Sequence, residues 1–274
     1  MMKNLLPQIL IIGYGFVGAA THSVLPSNSF DVIIFDPLRG HDLPEVFDVH
    51  KLSAIFLCLP TPANKDGSCD DALVTGFVDA NRHVTCPLIV RSTIPPSTID
   101  KLLKLKQDIV YFPEFLREKT WETDVKWPEF TVVGCNNLEI ARKVFTLIKS
   151  SEINIRELLE CTPIEASLFK YVHNTFLAMK VVYFHELYQW MTSAGYENNW
   201  APLLDLLQYD KRLGHSHMEA PGHHGLGFSG SCFPKDTTAF THETGGMLTL
   251  LMAAVDANKR LRNEHTETIQ TKTI

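Results

Sequence analysis

The sequence lacks the marks of several large protein classes. Its six cysteines, at 58, 69, 86, 135, 161 and 232, include no Cys-x-x-Cys pair. That argues against a zinc ribbon or a disulfide framework and fits a reduced, cytoplasmic protein. There is no basic block, and 25 basic residues against 31 acidic ones leave a formal charge of −6. Neither nucleic acid nor an anionic membrane is therefore an expected partner. No uninterrupted apolar run is long enough to span a bilayer. The apolar start, Met1 to Ile12, lacks a small-residue cleavage site and runs straight into Gly13-Tyr14-Gly15, so it reads as a strand and not as a signal peptide. Internal repeats and low-complexity tracts are also missing. What is present is globular: 45% apolar and 20% charged over 274 residues, enough for one large domain or two ordinary ones.

Gln8–Ile12 is a short apolar run ending in Gly13-Tyr14-Gly15-Phe16-Val17-Gly18. Glycines at that spacing allow a tight turn, close approach of a pyrophosphate and helix packing, which together make a dinucleotide fingerprint. A helix-compatible stretch follows, then a second apolar run, Asp31–Phe35, closed by Asp36. An acid at that strand end is placed to bind both ribose hydroxyls, so NAD is the expected cofactor. The plainer account of Asp36 is an ordinary turn residue. Further strands are expected at Ala54–Leu59, Leu88–Arg91, Ile109–Phe112 and Thr131–Val133. Continuous apolar strands alternating with helical stretches predict an α/β fold, with an N-terminal Rossmann-like, doubly wound parallel sheet covered on both faces. Ligands bind off the carboxyl ends of such strands. Thr61, Thr93 and the segment Pro113-Glu114-Phe115-Leu116-Arg117-Glu118 fall there.

Beyond residue 150 the strand pattern stops, and an all-helical central domain built on a long helix is expected. Ile164–Met191 has no glycine or proline and reads as one helix, apolar on most faces. Lys170 and Asn174 share one face of it. They either point into a cleft, or are a lysine snorkelling to solvent beside a surface amide. Trp200–Leu207 is a second helical piece and Met247–Arg262 a final amphipathic one, followed by a polar, frayed tail. The expected division is residues 1–155, 156–264 and a tail at 265–274. His215, His217, His223 and His224 match no zinc-ligand spacing, so no metal is expected. Loop histidines near an anionic ligand account for them more plainly.

Gly225-Leu226-Gly227-Phe228-Ser229-Gly230-Ser231-Cys232-Phe233-Pro234-Lys235-Asp236-Thr237 is the most distinctive stretch. Pro234 suits the first turn of a helix, where its missing N–H has no partner. Cys232 then lies at the positive end of that helix with Lys235 close by, and both favour the reactive thiolate. The glycines admit a ligand to the backbone, and Asp236 lies one turn from Cys232. The alternative is a buried cysteine beside a glycine-rich loop.

Several stretches, taken in order, resemble the UDP-glucose/GDP-mannose dehydrogenase family over nearly the whole chain. They are the run at 13–18, Pro60-Thr61-Pro62, Ser92-Thr93-Ile94-Pro95-Pro96, the run at 113–118, Lys170-Tyr171 with Asn174, Asp210 with Arg212 and Gly214, and the run at 230–236. The resemblance implies an NAD-dependent oxidoreductase that carries the C6 alcohol of a sugar nucleotide, UDP-glucose first, to the carboxylate in a four-electron oxidation. Cys232 takes the place of the nucleophile that forms a thiohemiacetal and then a thioester. Lys170 resembles the residue that stabilises the oxyanion, with Asn174 as its companion. Glu118, Thr93 and Asp236 resemble the group that holds and deprotonates water. The implied cofactor contacts are Gly13, Gly15, Phe16, Val17, Gly18, Asp36, Pro60, Thr61, Thr93 and Lys235. Glu114, Phe115, Leu116, Arg117 and Glu118 would hold the sugar together with Gly227, Phe228 and Ser229, beside Lys170 and Asn174. Arg212 resembles a residue that reaches the nucleotide across a homodimer interface built on the central helix.

The chain ends before the family's third domain, which holds the uridine diphosphate, so a separate chain completing the nucleotide site is a further expected partner. Ser229 stands where a glycine is usual, adding a side chain where backbone should approach the sugar, and Ser97 stands where a glycine usually follows the Pro-Pro turn. Two other readings stay open. One is a two-electron hydroxyacid-type dehydrogenase, which needs no cysteine. The other is an NAD-binding remnant that pairs with a full-length homologue.

Overall fold

A computed structural model describes residues 6–45 and 48–271, with side chains up to Arg262. Met1 to Leu5 of the apolar start and residues 272–274 of the tail lie outside the described residues. The chain divides into two compact units. The first runs to Pro62 and resumes at Cys69–Lys170; the second comprises Ala63–Ser68 and everything from Tyr171 onward.

The first unit is built on a seven-stranded sheet. Its strands are β1 (Gln8–Ile12), β2 (Asp31–Phe35), β3 (Leu52–Leu57), β4 (Leu88–Val90), β5 (Val110–Tyr111), β6 (Thr131–Cys135) and β7 (Leu158–Cys161), in the order β2-β1-β3-β4-β5-β6-β7. Alternation splits each strand between two cores. Leu10 and Ile12 of β1 join Ile55 and Leu57 of β3 on one face, while Ile9 and Ile11 join Ala54 and Phe56 on the other. Burial on both faces is why these strands read as unbroken apolar runs. Each such isoleucine contributes about 1.5–3 kcal/mol on leaving water. Helices α1 (Phe16–Ser23), α2 (Ala72–Ala80), α3 (Pro96–Leu105), α4 (Trp121–Lys126) and α5 (Leu138–Ser150) connect the strands. In α5, Asn137 caps the start by accepting from Glu139 N at 3.0 Å, and Ile140, Ala141, Val144 and Ile148 form its buried face.

The mostly parallel, Rossmann-like sheet expected from the sequence is present, with two departures in detail. The sheet is not wholly parallel, because β6 runs antiparallel to β5 and β7 follows the direction of β6. Nor does the strand pattern stop at 150, because β7 adds an edge strand. Leu158 and Cys161 are half-buried, and Leu159 and Glu160 are exposed. That weak, half-wet pattern is why it does not show in the sequence. β1 lies between β2 and β3, so the strand order reverses beside it, and the ligand crevice of such a sheet opens at the carboxyl ends there.

Helix α6 (Pro163–Ser193) is the long helix the sequence predicts. Thr162 and Glu165 form a capping box at its start. Glu165 N donates to Thr162 Oγ1 at 3.2 Å, and Thr162 N donates to Glu165 Oε2 at 2.8 Å. Buried Ser167 then donates to Ile94 O at 2.7 Å, which fixes the first turns, and with them Lys170, in the first unit. The second unit contains α7 (Trp200–Leu207), α8 (Phe233–Glu243) and α9 (Thr249–Thr271). The helix expected to stop near Arg262 runs on to Thr271. No glycine or proline interrupts 263–271, so nothing in that stretch ends the helix. Two apolar clusters hold this unit. One joins Ala178 and Val182 of α6 to Phe228, Ala257 and Leu261, and the other joins Phe184 and Met191 to Trp200, Met218 and Ala220.

Candidate active site

The fingerprint turn has the geometry its glycines predict. Gly13 has φ +86°, and a Cβ there would lie 2.6 Å from Cys58 O. A Cβ on Gly18 would lie 2.1 Å from Gly13 O, so neither position accepts a side chain without rebuilding the turn. A Cβ on Gly15, in contrast, would meet nothing within 4 Å, so its backbone faces open space. Gly15 is also the N-cap of α1, whose first-turn N–H groups have no intrahelical partner and suit an anion. Asp36 directly follows β2 and accepts from Tyr14 N at 2.8 Å, with Arg39 Nε 3.7 Å from the same oxygen. A tight turn, an open glycine, a helix N-terminus and an acid tied to the turn fit a dinucleotide. Phe16 is exposed against the Trp121 edge, and half-buried Val17 packs on the sheet.

Further features gather at the carboxyl ends of β3, β4 and β5. Thr61 is buried and donates to Thr93 O at 2.8 Å, linking two strand-end loops, while Pro60 is exposed and Thr93 half-buried. Glu114 accepts from Leu116 N at 2.7 Å through one oxygen and from Lys170 Nζ at 3.3 Å through the other. Lys170 also donates to Glu114 O, and its ammonium lies 5.0 Å from the centre of the Phe115 ring. Both partners are buried. Burial alone would raise the Glu114 pKa, but Lys170, the Leu116 N–H and Arg91 together bring it below the usual carboxylate value. Lys170 therefore does not snorkel to solvent. The other charged residues of this segment are on the surface. Arg117 pairs with Asp124 through NH2 at 2.6 Å, and Glu118 is exposed.

In the second unit, Cys232 is the N-cap of α8 and Pro234 lies in the first turn, as the sequence predicts. The thiol is half-buried, 3.7 Å from Ser231 Oγ. Asp236, one turn on, is 1% exposed and fully engaged. Its Oδ2 accepts from Asn174 Nδ2 and its Oδ1 from Lys235 Nζ, each at 2.6 Å. The structure thus brings Asn174, Asp236 and Lys235 together on and beside the helix that Cys232 heads. Lys235, expected at the cofactor, spends its ammonium on Asp236 here. Arg212 is exposed and chelates Asp210, with Nε 2.9 Å from Oδ1 and NH2 2.6 Å from Oδ2.

Before α8 the chain turns tightly, with Gly222 and Gly225 exchanging two backbone hydrogen bonds of 3.0 Å around His223 and His224. Gly227 and Phe228 behind the turn are buried, and Ser229 is half-buried. Two residues that the sequence did not single out hold them. His185 of α6 accepts from Gly227 N, and Asn258 of α9 accepts from Phe228 N. Their only sequence signal is a polar residue on the apolar face of a helix. Among the described residues no group of three or more His, Cys, Asp or Glu could hold a metal ion, and no helix is long and apolar enough to cross a membrane.

Comparison with known proteins agrees with this geometry. The UDP-glucose/GDP-mannose dehydrogenase family matches through its NAD binding domain at residues 45–150 and through its central domain at 164–260. The UDP-glucose 6-dehydrogenase of Rickettsia prowazekii is 32% identical over 211 residues, covering 71% of this chain and 46% of that protein. The chain spans about half the length of the curated relatives it matches. A UDP-glucose dehydrogenase structure from Pyrobaculum islandicum has a TM-score of 0.76 at 25% identity, over 96% of this chain and 69% of that one. The 3-hydroxyisobutyrate dehydrogenase of Mycobacterium tuberculosis, with a TM-score of 0.70 and 18% identity over 95% of each chain, shares the fold. With both domain matches in sequence order along most of its length, the chain belongs to the UDP-glucose/GDP-mannose dehydrogenase family of NAD-dependent oxidoreductases.

Proposed function

We propose that this chain oxidises the C6 alcohol of a sugar nucleotide to the carboxylate in two steps, with UDP-glucose as the first substrate to test. The observation that carries the reading is Cys232 at the head of α8, with Asp236 one turn on and held by Asn174 and Lys235. NAD, when bound, takes up a hydride at each oxidation. In the first, the alcohol loses its proton and a hydride and becomes an aldehyde. The Cys232 thiolate adds to the aldehyde carbon, and the resulting alkoxide is stabilised by Lys170. Two of the three Lys170 N–H groups are held by Glu114, leaving the third for that oxygen. Loss of the second hydride converts the thiohemiacetal into a thioester. Water, deprotonated with the help of Asp236, cleaves it to the carboxylate and releases the thiol. A covalent intermediate keeps the reactive aldehyde bound between oxidations.

The remaining roles belong to the same proposal. Residues 1–155 act as the cofactor domain, with Gly13, Gly15, Gly18 and Asp36 on the dinucleotide and Pro60, Thr61 and Thr93 beside it. Residues 156–264 act as the central domain, in which Gly227–Ser229 join the 114–118 segment in holding the sugar. A homodimer through α6 is supported by Phe169, Phe176, Tyr183 and Trp190, which are exposed and repeat every seven residues along the helix. Arg212 then serves the partner's nucleotide. Six thiols without a disulfide suit a reducing cytoplasm, and the product would be a uronic-acid donor for polysaccharide assembly.

The test is product mass spectrometry after incubation with NAD and a panel of sugar nucleotides, with NADH counted per substrate. Two NADH and a uronate support the proposal. The full-length likeness to 3-hydroxyisobutyrate dehydrogenase favours a second reading, a two-electron oxidation that needs no cysteine. One NADH per substrate, undiminished in Cys232→Ser, would establish that reading instead. Tight NAD binding with no sugar-nucleotide binding by calorimetry would mark a remnant that pairs with a longer homologue.

A further inference from the structure

The loop before Cys232 contains Gly225, Gly227 and Gly230, all at positive φ, so its own sequence gives it little preference for one shape. Two buried side chains of the second unit impose one. His185 on α6 is 2% exposed, and its Nδ1 accepts from Gly227 N at 2.7 Å. Its Nε2 lies 2.8 Å from Glu219 O. A backbone N–H can only donate and a carbonyl can only accept, so the ring is the neutral tautomer with its proton on Nε2. One residue further, Asn258 on α9 is 8% exposed and pairs with Phe228 in both directions. Its Oδ1 accepts from Phe228 N at 2.6 Å, and its Nδ2 donates to Phe228 O at 3.2 Å. The Phe228 ring is packed among Ala178, Val182, Ala257 and Leu261, so backbone and side chain are fixed together. A Cβ on Gly227 would lie 2.5 Å from Asn258 Oδ1, so the approach is open only to glycine.

We propose that His185 and Asn258 are positioning residues that hold the Gly227–Phe228 peptide in the shape that takes the sugar nucleotide, and that His185 does so only while neutral, so that substrate affinity falls on acidification. The substrate part rests on the reading that residues 227–229 hold the sugar. Charged side chains on the elements that carry the clamp are engaged with other partners. Glu186 on α6 faces Arg260 of α9 at 3.8 Å, Lys180 donates to Leu213 O, and Arg262 donates to Leu226 O at 3.4 Å. Burial holds the imidazole below its ordinary pKa, opposed by the bond to Glu219 O. Protonating Nδ1 would set two donors against each other at Gly227.

The experiment uses the full chain, NAD and UDP-glucose, with His185→Phe, His185→Asn and Asn258→Leu. His185→Phe and Asn258→Leu are expected to raise KM for UDP-glucose about tenfold, the loss of one buried hydrogen-bonding partner. The change in kcat should be under about threefold. In the wild type KM climbs as pH falls through the folded His185 pKa, which lies below the ordinary 6.5. In His185→Asn, which keeps a donor and an acceptor but does not titrate, it stays flat. Deuterium exchange at the Gly227 and Phe228 amides, faster in His185→Phe and Asn258→Leu, reads the clamp without substrate. If His185→Phe does not fold, Asn258→Leu and His185→Asn carry the test. Unchanged KM and exchange, or a wild-type pH profile persisting in His185→Asn, would overturn the proposal. A wild type that forms no NADH sinks the functional reading instead, and exchange alone then decides the clamp.

Discussion

Asn174 donates to the Asp236 carboxylate at 2.6 Å and so joins the long helix α6 to the helix headed by Cys232. With Lys235 on its other oxygen, Asp236 holds its neighbours as firmly as they hold it. In Asp236→Ala, Asn174 becomes a buried donor without an acceptor, an expected loss of about 1–3 kcal/mol. Asp236→Asn keeps an acceptor for Asn174 and loses less stability, yet it removes the carboxylate proposed to serve the water. Urea unfolding measured beside NADH formation separates the two. Equal stability and activity in all three proteins would remove Asp236 from the site.

Cys232→Ser divides chemistry from structure in a different way. Cys232 is half-buried and makes no side-chain cap bond, so the variant is expected to melt close to the wild-type temperature. Net turnover is nevertheless expected to disappear. Alkylation of the wild type near neutral pH, mapped by peptide mass spectrometry, should label Cys232 and spare Cys58, whose burial pushes its thiol up to about 11. Faster labelling at Cys58 would contradict both the burial and the assignment.

The fingerprint offers a paired contrast. Gly15→Ala adds a methyl that meets nothing in the protein, so its thermal stability should match the wild type while NAD affinity falls. Gly18→Ala drives a methyl to 2.1 Å from Gly13 O. It should cost about 1–3 kcal/mol or more before any cofactor is added. Calorimetry with NAD beside thermal melts gives both readings. A stable Gly18→Ala would mean that the turn is looser than its geometry.

The Lys170–Glu114 pair should appear in acid. The Glu114 pKa is below 4.5 in the folded protein, so the unfolded chain binds the proton more readily. The stability the pair contributes is therefore complete above 4.5 and declines as pH falls toward the folded value. Glu114→Gln should flatten that acid limb. It should also lower stability near neutral pH by about 3–5 kcal/mol, because Lys170 keeps a buried charge without its partner. Denaturation midpoints across acidic pH would show it, and parallel acid limbs for the two proteins would refute it.

What was legible in the sequence follows from which residues answer to local rules. The turn at Gly13–Gly18, strands β1 and β2, helix α7 and the start of α8 depend on glycine, proline and alternation, and they lie where those rules put them. Strand β7 could not be seen, since an edge strand with Leu159 and Glu160 exposed has no apolar alternation to read. The reversal at β6 is a tertiary choice that leaves no local mark. The candidates Lys170, Asn174, Cys232 and Asp236 stood out because their side chains differ in kind from their surroundings. The partners that hold them did not: Glu114 for Lys170, and His185 and Asn258 for the glycine loop. Two of those three act on backbone groups, which carry no sequence signature of their own.

Ala257, Asn258 and Leu261 place part of the floor of the glycine loop on α9, far along the chain from the loop itself. Trimming α9 anywhere before Leu261 would therefore unmake the support of a loop that the shortened protein still spells out in full. For anyone dividing this polypeptide into pieces, the safe cut lies beyond that leucine, well past the glycine loop it supports.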